Sequence, residues 1–393
     1  MGEHWRPAWA TVDLDAVRHN ASLLARIAGP AELCAVVKAD GYGHGAPAVA
    51  RAALEGGATW LAVALVEEGV ALREAGIDAP VLLLSEAPTE ALPAAVEHRL
   101  LPTAYTHGAI ASLAKVVGDT GSAPVDVHLK VDTGMHRVGG DPNEIPSLVE
   151  ALAADASVRL GSLWTHLAVA DGASDEDREY TEAQLERFDR TLAELASLGH
   201  RPPLTHAANS AGAVAFPAAR RDLVRCGIAL YGAAPTPALG DRIVELTGES
   251  LRPVLSLRAQ VAAVRDLPAG ERPSYGRARP LPVRATVATV PLGYADGVPR
   301  RLFDVGGEIL VGGRRRPLAG VVTMDQIMID CGPVGTSDVA VGDEVVLLGR
   351  QGDEEVGADE WAELLGTINY EVLCDIGPRV PRVVVGEASG SGG

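Results

Sequence analysis

From about residue 30 to residue 232 the chain repeats one pattern eight times: a short apolar run, then a stretch with helical spacing. The runs are LCAVVKAD (33–40), WLAVALVEEG (60–69), PVLLLSE (80–86), LLPTAY (100–105), VDVHLKVDTG (125–134), LGSLWTHLA (160–168), LTHAANS (204–210) and DLVRCGIALYG (222–232). Between them lie stretches such as GAPAVARAALEGG, HGAIASLAKVVGD and EYTEAQLERFDRTLAELASLG. Runs that are apolar throughout and bounded by turn residues suit strands buried on both faces. Eight strand–helix units in about 200 residues predict an α/β fold, a (β/α)8 TIM-type barrel.

Most of these runs begin apolar and finish polar, at Lys38, Glu67 and Glu68, Ser85, Tyr105, Asp132, His166, and Asn209 with Ser210. The C-terminal strand ends of such a barrel form its active-site face. Strand ends also turn polar simply because loops meet water, but that explains a Lys, a His and an Asn-Ser pair together less well than it explains any one of them.

Beyond about residue 245 the texture changes. Segments such as VLSLRAQVAAVRDLPAG, ATVATVPLGYADG and GDEVVLLGRQG are short, rich in Val and Ile, and split by Gly and Pro, which predicts a mostly antiparallel β domain. One helical patch, ADEWAELLG, interrupts it at 358–366. The early stretch WATVDLDAVRHNASLLARI predicts a strand and then a helix, with Asp13 or Asp15 near the helix start. The expected organisation is a barrel over 1–245, a β domain over 246–385 and a disordered tail at 386–393, with residues 1–15 a candidate to strand-pair with the second domain.

Charge and composition narrow the function. With 34 Lys+Arg against 52 Asp+Glu, the net charge of −18 argues against nucleic acid and against an anionic membrane surface. No apolar run approaches the ~18–20 residues that cross a bilayer, and MGEHWRPAWATVDLD lacks the apolar core of a secretory signal. Cys34, Cys226, Cys331 and Cys374 are far apart, with no CxxC. Neither a disulfide framework nor a metal site is expected, and a reducing, cytoplasmic location is.

The cations are unevenly divided. Only Lys38, Lys115 and Lys130 are lysines; the other cations are arginines. Arg cannot form an imine or act as a neutral amine at ordinary pH, but Lys can. Lys38 ends an apolar run and is followed by ADGYGHG. Such a strand partly desolvates the ammonium and lowers its pKa, while the glycines let a loop backbone approach a flat ligand. A strand-end lysine also serves ion pairs, and this loop alone does not decide between the two.

AVVKADGYGHG (35–45) resembles the pyridoxal-phosphate attachment motif of the alanine racemases. The same chain carries KVDTGMHRVG (130–139), WTHLA (164–168), HAANSAG (206–212), RCGIALYG (225–232), SYGR (274–277), PLGYADGVPR (291–300), MDQIMID (324–330) and INYEVLCDIGPRVPR (368–382). These resemble that family's motifs, in its order, over nearly the whole chain. The resemblance implies pyridoxal 5'-phosphate as cofactor, a barrel followed by a β domain, and a homodimer with shared active sites.

It also implies an activity: interconversion of L- and D-alanine by two-base α-proton transfer on a cofactor imine, supplying D-alanine for peptidoglycan. Two acid–base groups must then sit on opposite faces of one planar adduct. The resemblance assigns these to Lys38 and Tyr275. It places Arg225 at the pyridine nitrogen, with His166 holding it. The phosphate falls to Tyr42, Ser210, Tyr370 and the backbone N–H groups of Gly227 and Ile228, with Asn209 supporting. Arg137 is implied as a contact of the cofactor's phenolic oxygen and the substrate carboxylate, and Lys130 as a candidate N6-carboxylysine paired with it. Met324, Asp325 and Tyr294 match residues near the substrate entrance. His136 stands where the commonest motif has Gly, and no role is implied for it; Thr323 stands where Cys is frequent. Alternatives are a racemase of broader or different range, a barrel-type pyridoxal-phosphate decarboxylase, and a non-catalytic carrier of the cofactor. The usual phosphate loop and Cys motif of the decarboxylases are not evident, and the carriers are bare barrels.

Overall fold

A strand, β1 (Ala8–Asp13), and a helix, Leu14–Ala28, open the computed structural model, which describes residues 5–386. Asp13 starts the helix as expected, its Oδ1 accepting from the backbone N–H of Asp15 at 2.9 Å. The expected tail falls at 387–393 outside the described residues.

Eight parallel strands follow: β2 (Glu32–Val36), β3 (Trp60–Val63), β4 (Val81–Leu83), β5 (Thr103–Ala104), β6 (Val125–Lys130), β7 (Val158–Trp164), β8 (Leu204–His206) and β9 (Leu223–Cys226). They pair in the orders β4-β3-β2-β9 and β5-β6-β7-β8. Two seams join these halves. Leu83 and Leu101 donate to Leu101 and Val81 at 2.9 and 2.8 Å, and Asp222 and Arg225 donate to Thr205 and Ala208, both at 3.0 Å. The result is a closed (β/α)8 barrel.

Its strands are buried on both faces because side chains fill the interior and helices cover the outside. Ile110, Leu113 and Val117, spaced three and four apart on the helix His107–Thr120, join a core with Val127, Leu129, Leu148 and Leu152. The run at 100–105 forms a shorter strand than its apolar length predicts. Pro102 precedes Thr103 and supplies no N–H to a ladder.

The chain forms two compact units, one of residues 16–41 and 45–252, the other of described residues 5–15, 42–44 and 253–386. The second unit holds β10 (Leu255–Gln260), β11 (Ala263–Leu267), β12 (Ala285–Val290), β13 (Glu308–Val311), β14 (Arg314–Pro317), β15 (Ile327–Pro333), β16 (Glu344–Gln351), β17 (Glu354–Val356) and β18 (Arg382–Val385). One sheet runs β14-β13-β16-β10-β1-β18, with β17 on β16, and another β11-β12-β15. Pairing is antiparallel except between β1 and β18. Alternation places Ala8, Ala10 and Val12 of β1, and Ile327, Ile329 and Cys331 of β15, in the core. The helical patch is the helix Ala358–Leu365, followed by Asn369–Cys374. No helix among the described residues is long and apolar enough to cross a membrane.

Candidate active site

Lys38 lies two residues beyond β2, half-buried at the C-terminal end of the barrel. The backbone after it coils the wrong way. Ala39, Asp40, Gly41, Tyr42 and Gly43 all have φ between 51° and 79°. Side-chain-bearing residues avoid that region because Cβ crowds the carbonyl, at about 1–2 kcal/mol each, so three of these five positions are strained. The turn is pinned from several sides. Gly41 donates to Val37 O and Gly45 to Asp40 O, both at 2.8 Å, and Asp40 Oδ1 accepts from Ala46 N at 2.8 Å. Glu68 accepts from Ala39 N at 2.6 Å with one oxygen, and from Ala64 and Leu65 N with the other. Its carboxylate thus ties the lysine turn to the exit of β3, a role that a polar strand end alone did not reveal.

Arg225 sits on β9, 3% exposed. Its guanidinium donates to His206 Nδ1 at 2.7 Å, Thr165 O at 2.8 Å and Ala207 O at 3.1 Å, and approaches His166 Nδ1 at 3.4 Å. Burial lowers its pKa to about 10, which leaves it charged near neutrality. His166 is held well below the usual histidine range, by burial first and then by Arg225, Lys130, Arg137 and Lys38. It is therefore neutral beside four cations. Lys130, at the end of β6, is 3% exposed, and its Nζ lies over the Trp164 ring. Burial, then Arg225 and Arg137, lower its pKa to about 7.

Asn209 caps the short helix Ser210–Ala215, its Oδ1 accepting from Gly212 N at 2.8 Å. Ser210 Oγ accepts from Gly227 N at 3.0 Å, and Ile228 follows in a buried turn. The structure therefore brings Ser210 and Gly227 together between the ends of β8 and β9. Arg137 is exposed in the loop after β6. Asp132 Oδ1 organises that loop by accepting from Gly134 N and His136 N. His136 itself adopts φ 53°, so the conformational freedom a glycine has at this position is used here by a histidine. The third lysine, Lys115, pairs with Asp119 on an outer helix.

The second unit carries the remaining residues. Tyr42 and Tyr370 face each other with ring centroids 6.2 Å apart. Tyr275 is 75% exposed and begins a turn in which Ser274, Gly276 and Arg277 all have positive φ. Ser274 Oγ donates to Val321 O at 2.6 Å, which anchors it. Tyr294 N donates to Thr323 O at 2.9 Å, so Tyr294 and Met324 share one exposed corner. Gly293 is required there, since a Cβ would lie 2.3 Å from Thr323 O. Thr323 closes its own turn, donating Oγ1–H to Gln326 O at 2.7 Å. Asp325 accepts from Arg379 at 2.7 Å. Trp164, Thr165 and His206 were not singled out from the sequence, although each stands inside a motif quoted above.

Residues 12–235 match the family described as alanine racemase, N-terminal domain, and residues 254–384 match alanine racemase, C-terminal domain. The chain is 47% identical over 385 residues to alanine racemase of Symbiobacterium thermophilum, covering 98% of each. Its fold is similar to a crystal structure of alanine racemase from Bacillus anthracis with bound L-Ala-P, at TM-score 0.88 and 36% identity, covering 98% of this chain and 97% of the other. A histidine racemase from Leuconostoc mesenteroides is also similar, at TM-score 0.86 and 29% identity, covering 98% and 99%. The chain belongs to the alanine racemase family.

Proposed function

We propose that this protein interconverts L- and D-alanine with pyridoxal 5'-phosphate as its cofactor. The observation that carries the reading is identity of 47% to a named alanine racemase across nearly all of both chains. The residues present fit the cofactor. Lys38, Arg137 and Arg225 all bear on His166, an excess of positive charge that suits an anionic cofactor and an anionic substrate. Serine and backbone donors lie between the ends of β8 and β9, where such barrels often seat phosphate.

When bound, the cofactor withdraws electrons from the substrate Cα and so acidifies its proton. Lys38 would hold the cofactor covalently, and its amine would carry a proton on one face of the substrate. Tyr275 carries it on the other. Tyr42, Ser210, Tyr370 and the N–H groups of Gly227 and Ile228 bind the phosphate through neutral donors, and Asn209 fixes Ser210 by capping the adjoining helix. Arg225 would donate to the cofactor's ring nitrogen, and a guanidinium that stays charged there would keep that nitrogen unprotonated. Its contacts to His206 and Thr165, with His166 close by, support this placement. Arg137 takes the substrate carboxylate.

Lys130 is carboxylated on Nζ: its neutral amine adds carbon dioxide and releases a proton, giving an anion that pairs with Arg137. A lysine pKa lowered to about 7 supports this, because only the neutral amine adds carbon dioxide. Tyr294 gates the substrate entrance, lined by Met324 and supported by Asp325. The protein is a cytoplasmic homodimer in which Tyr275 of the β domain completes the partner's barrel site, and it supplies D-alanine for peptidoglycan. The test is decay of the optical rotation of L-alanine without release of carbon dioxide. Carbon dioxide release would mark a decarboxylase. Likeness to a histidine racemase makes histidine the second substrate to assay; comparable turnover of both would mark a broader racemase.

A further inference from the structure

Four buried polar side chains stand in file through the barrel interior. Arg225 donates from Nη1 to His206 Nδ1 at 2.7 Å. His206 Nε2 lies 3.1 Å from Ser162 Oγ, and Ser162 Oγ lies 2.7 Å from His128 Nδ1. None of the four is more than 3% exposed. His128 Nε2 is buried without a hydrogen-bonding partner. The ring borders a cavity of about 440 Å³ lined also by Trp60, Asp126, Gly161 and Leu204. β6, β7, β8 and β9 are consecutive in the barrel, so the file crosses four neighbouring strands.

Counting hydrogens fixes its direction. A guanidinium has only donors, so His206 Nδ1 must accept and its neutral ring carries the proton on Nε2. That N–H donates to Ser162 Oγ. Among the described residues Ser162 Oγ has no other partner than the two rings, so its own hydrogen goes to His128 Nδ1. His128 therefore also carries its proton on Nε2. Every donor points away from Arg225, and the last is the buried Nε2–H of His128. Burial disfavours the charged form of both rings, and His128 is lowered to about 4.

We propose that Ser162 and His128 are positioning residues: they lock His206 in its Nε2–H form and thereby hold the Arg225 guanidinium in one orientation. The consequence for catalysis rests on the reading that Arg225 faces the cofactor's ring nitrogen. Without Ser162, the buried Nε2–H of His206 has no acceptor, and a desolvated donor favours rearrangement. If the proton moves to Nδ1, it opposes an Arg225 N–H, donor against donor. The guanidinium then keeps its contacts to Thr165 O, Ala207 O and His166 Nδ1 but loses the one to His206, and tilts.

The test uses holoenzyme labelled with 15N in the histidine rings, in which ring correlations report the protonated nitrogen. His206 and His128 should both be neutral with the proton on Nε2 from pH 6 to 8. Either ring protonated on Nδ1, or charged, overturns the proposal without any variant. Ser162→Ala should give His206 mixed tautomers, lower kcat about five- to tenfold with KM within about twofold, and raise transamination relative to racemisation, the scale of one buried hydrogen bond. Ser162→Thr should restore all three. His128→Phe should be milder, and the double variant should match Ser162→Ala, because both act through one file. Independent, multiplying losses would reduce His128 to a packing residue and overturn its role. A tautomer change with kcat and partition ratio unaltered would leave the lock standing and overturn the reading of Arg225 instead.

Discussion

Lys130 Nζ lies 4.5 Å from the centroid of the Trp164 ring, inside a barrel that leaves the lysine 3% exposed. A cation over an indole is stabilised, but here burial and the charges of Arg225 and Arg137 outweigh that and lower the pKa to about 7. The folded state therefore binds fewer protons than the unfolded chain between about pH 7 and the ordinary lysine value of about 10.4. Stability contributed by this group should rise with pH across that window and be flat below it. In carbon-dioxide-free buffer, the difference in unfolding free energy between wild type and Lys130→Met, from urea melts, should shift in favour of wild type from pH 7 to 9. With 13C-bicarbonate, wild type should gain an acid-labile label that the variant lacks. Absence of that label would refute carboxylation.

Lys38 stands at the start of a strained turn, where its backbone is fixed by Glu68 and Asp40 through its neighbours. Borohydride reduction of holoenzyme should fix the cofactor on the peptide containing Lys38. Lys38→Ala should abolish fixation and racemisation together. Labelling at Lys115 or Lys130 would displace the whole site assignment.

Gly41 has φ 62°, and a Cβ there would lie 3.2 Å from Ala46 Cα and 3.6 Å from the Tyr231 hydroxyl. Gly41→Ala should cost about 1–2 kcal/mol from the left-handed conformation alone. It should also weaken cofactor retention on dialysis, since the residue sits three positions after Lys38. Unchanged melting and unchanged retention would mean the turn relaxes freely.

Tyr275 is assigned one face of the substrate and Lys38 the other. Tyr275→Phe should slow α-proton exchange with solvent from L-alanine far more than from D-alanine, by about a hundredfold or more if the phenol is the general base. Equal losses from both enantiomers, followed by deuterium wash-in, would argue against two distinct bases.

The proposed sharing of sites between subunits makes a quantitative forecast. Lys38→Ala and Tyr275→Ala subunits should each be inactive alone. Random exchange makes about half of the dimers mixed, each with one site holding both defects and one intact, so about a quarter of wild-type activity should return. If each site is built from one chain, none returns. Subunit exchange measured by mass separates absence of mixing from absence of sharing.

Much of this was legible in the sequence because it is local. Eight apolar runs with polar ends, the helix start at Asp13, and the shift to short Val- and Ile-rich segments each depend on neighbours a few residues apart, and hydrophobic burial selects them by periodicity alone. Lys38 stood out because only three lysines survive among so many arginines. The environment of Arg225 was not legible. Residues 128, 162, 206 and 225 share no spacing and each resembles an ordinary core polar group. Barrel closure sets their strands side by side, with His128 opposite Ser162 and Trp164 opposite His206 in register. The neutrality of His166 at physiological pH and the lowered pKa of Lys130 follow from desolvation and from charges brought close in space. Those quantities depend on distances across strands, which a linear pattern does not encode.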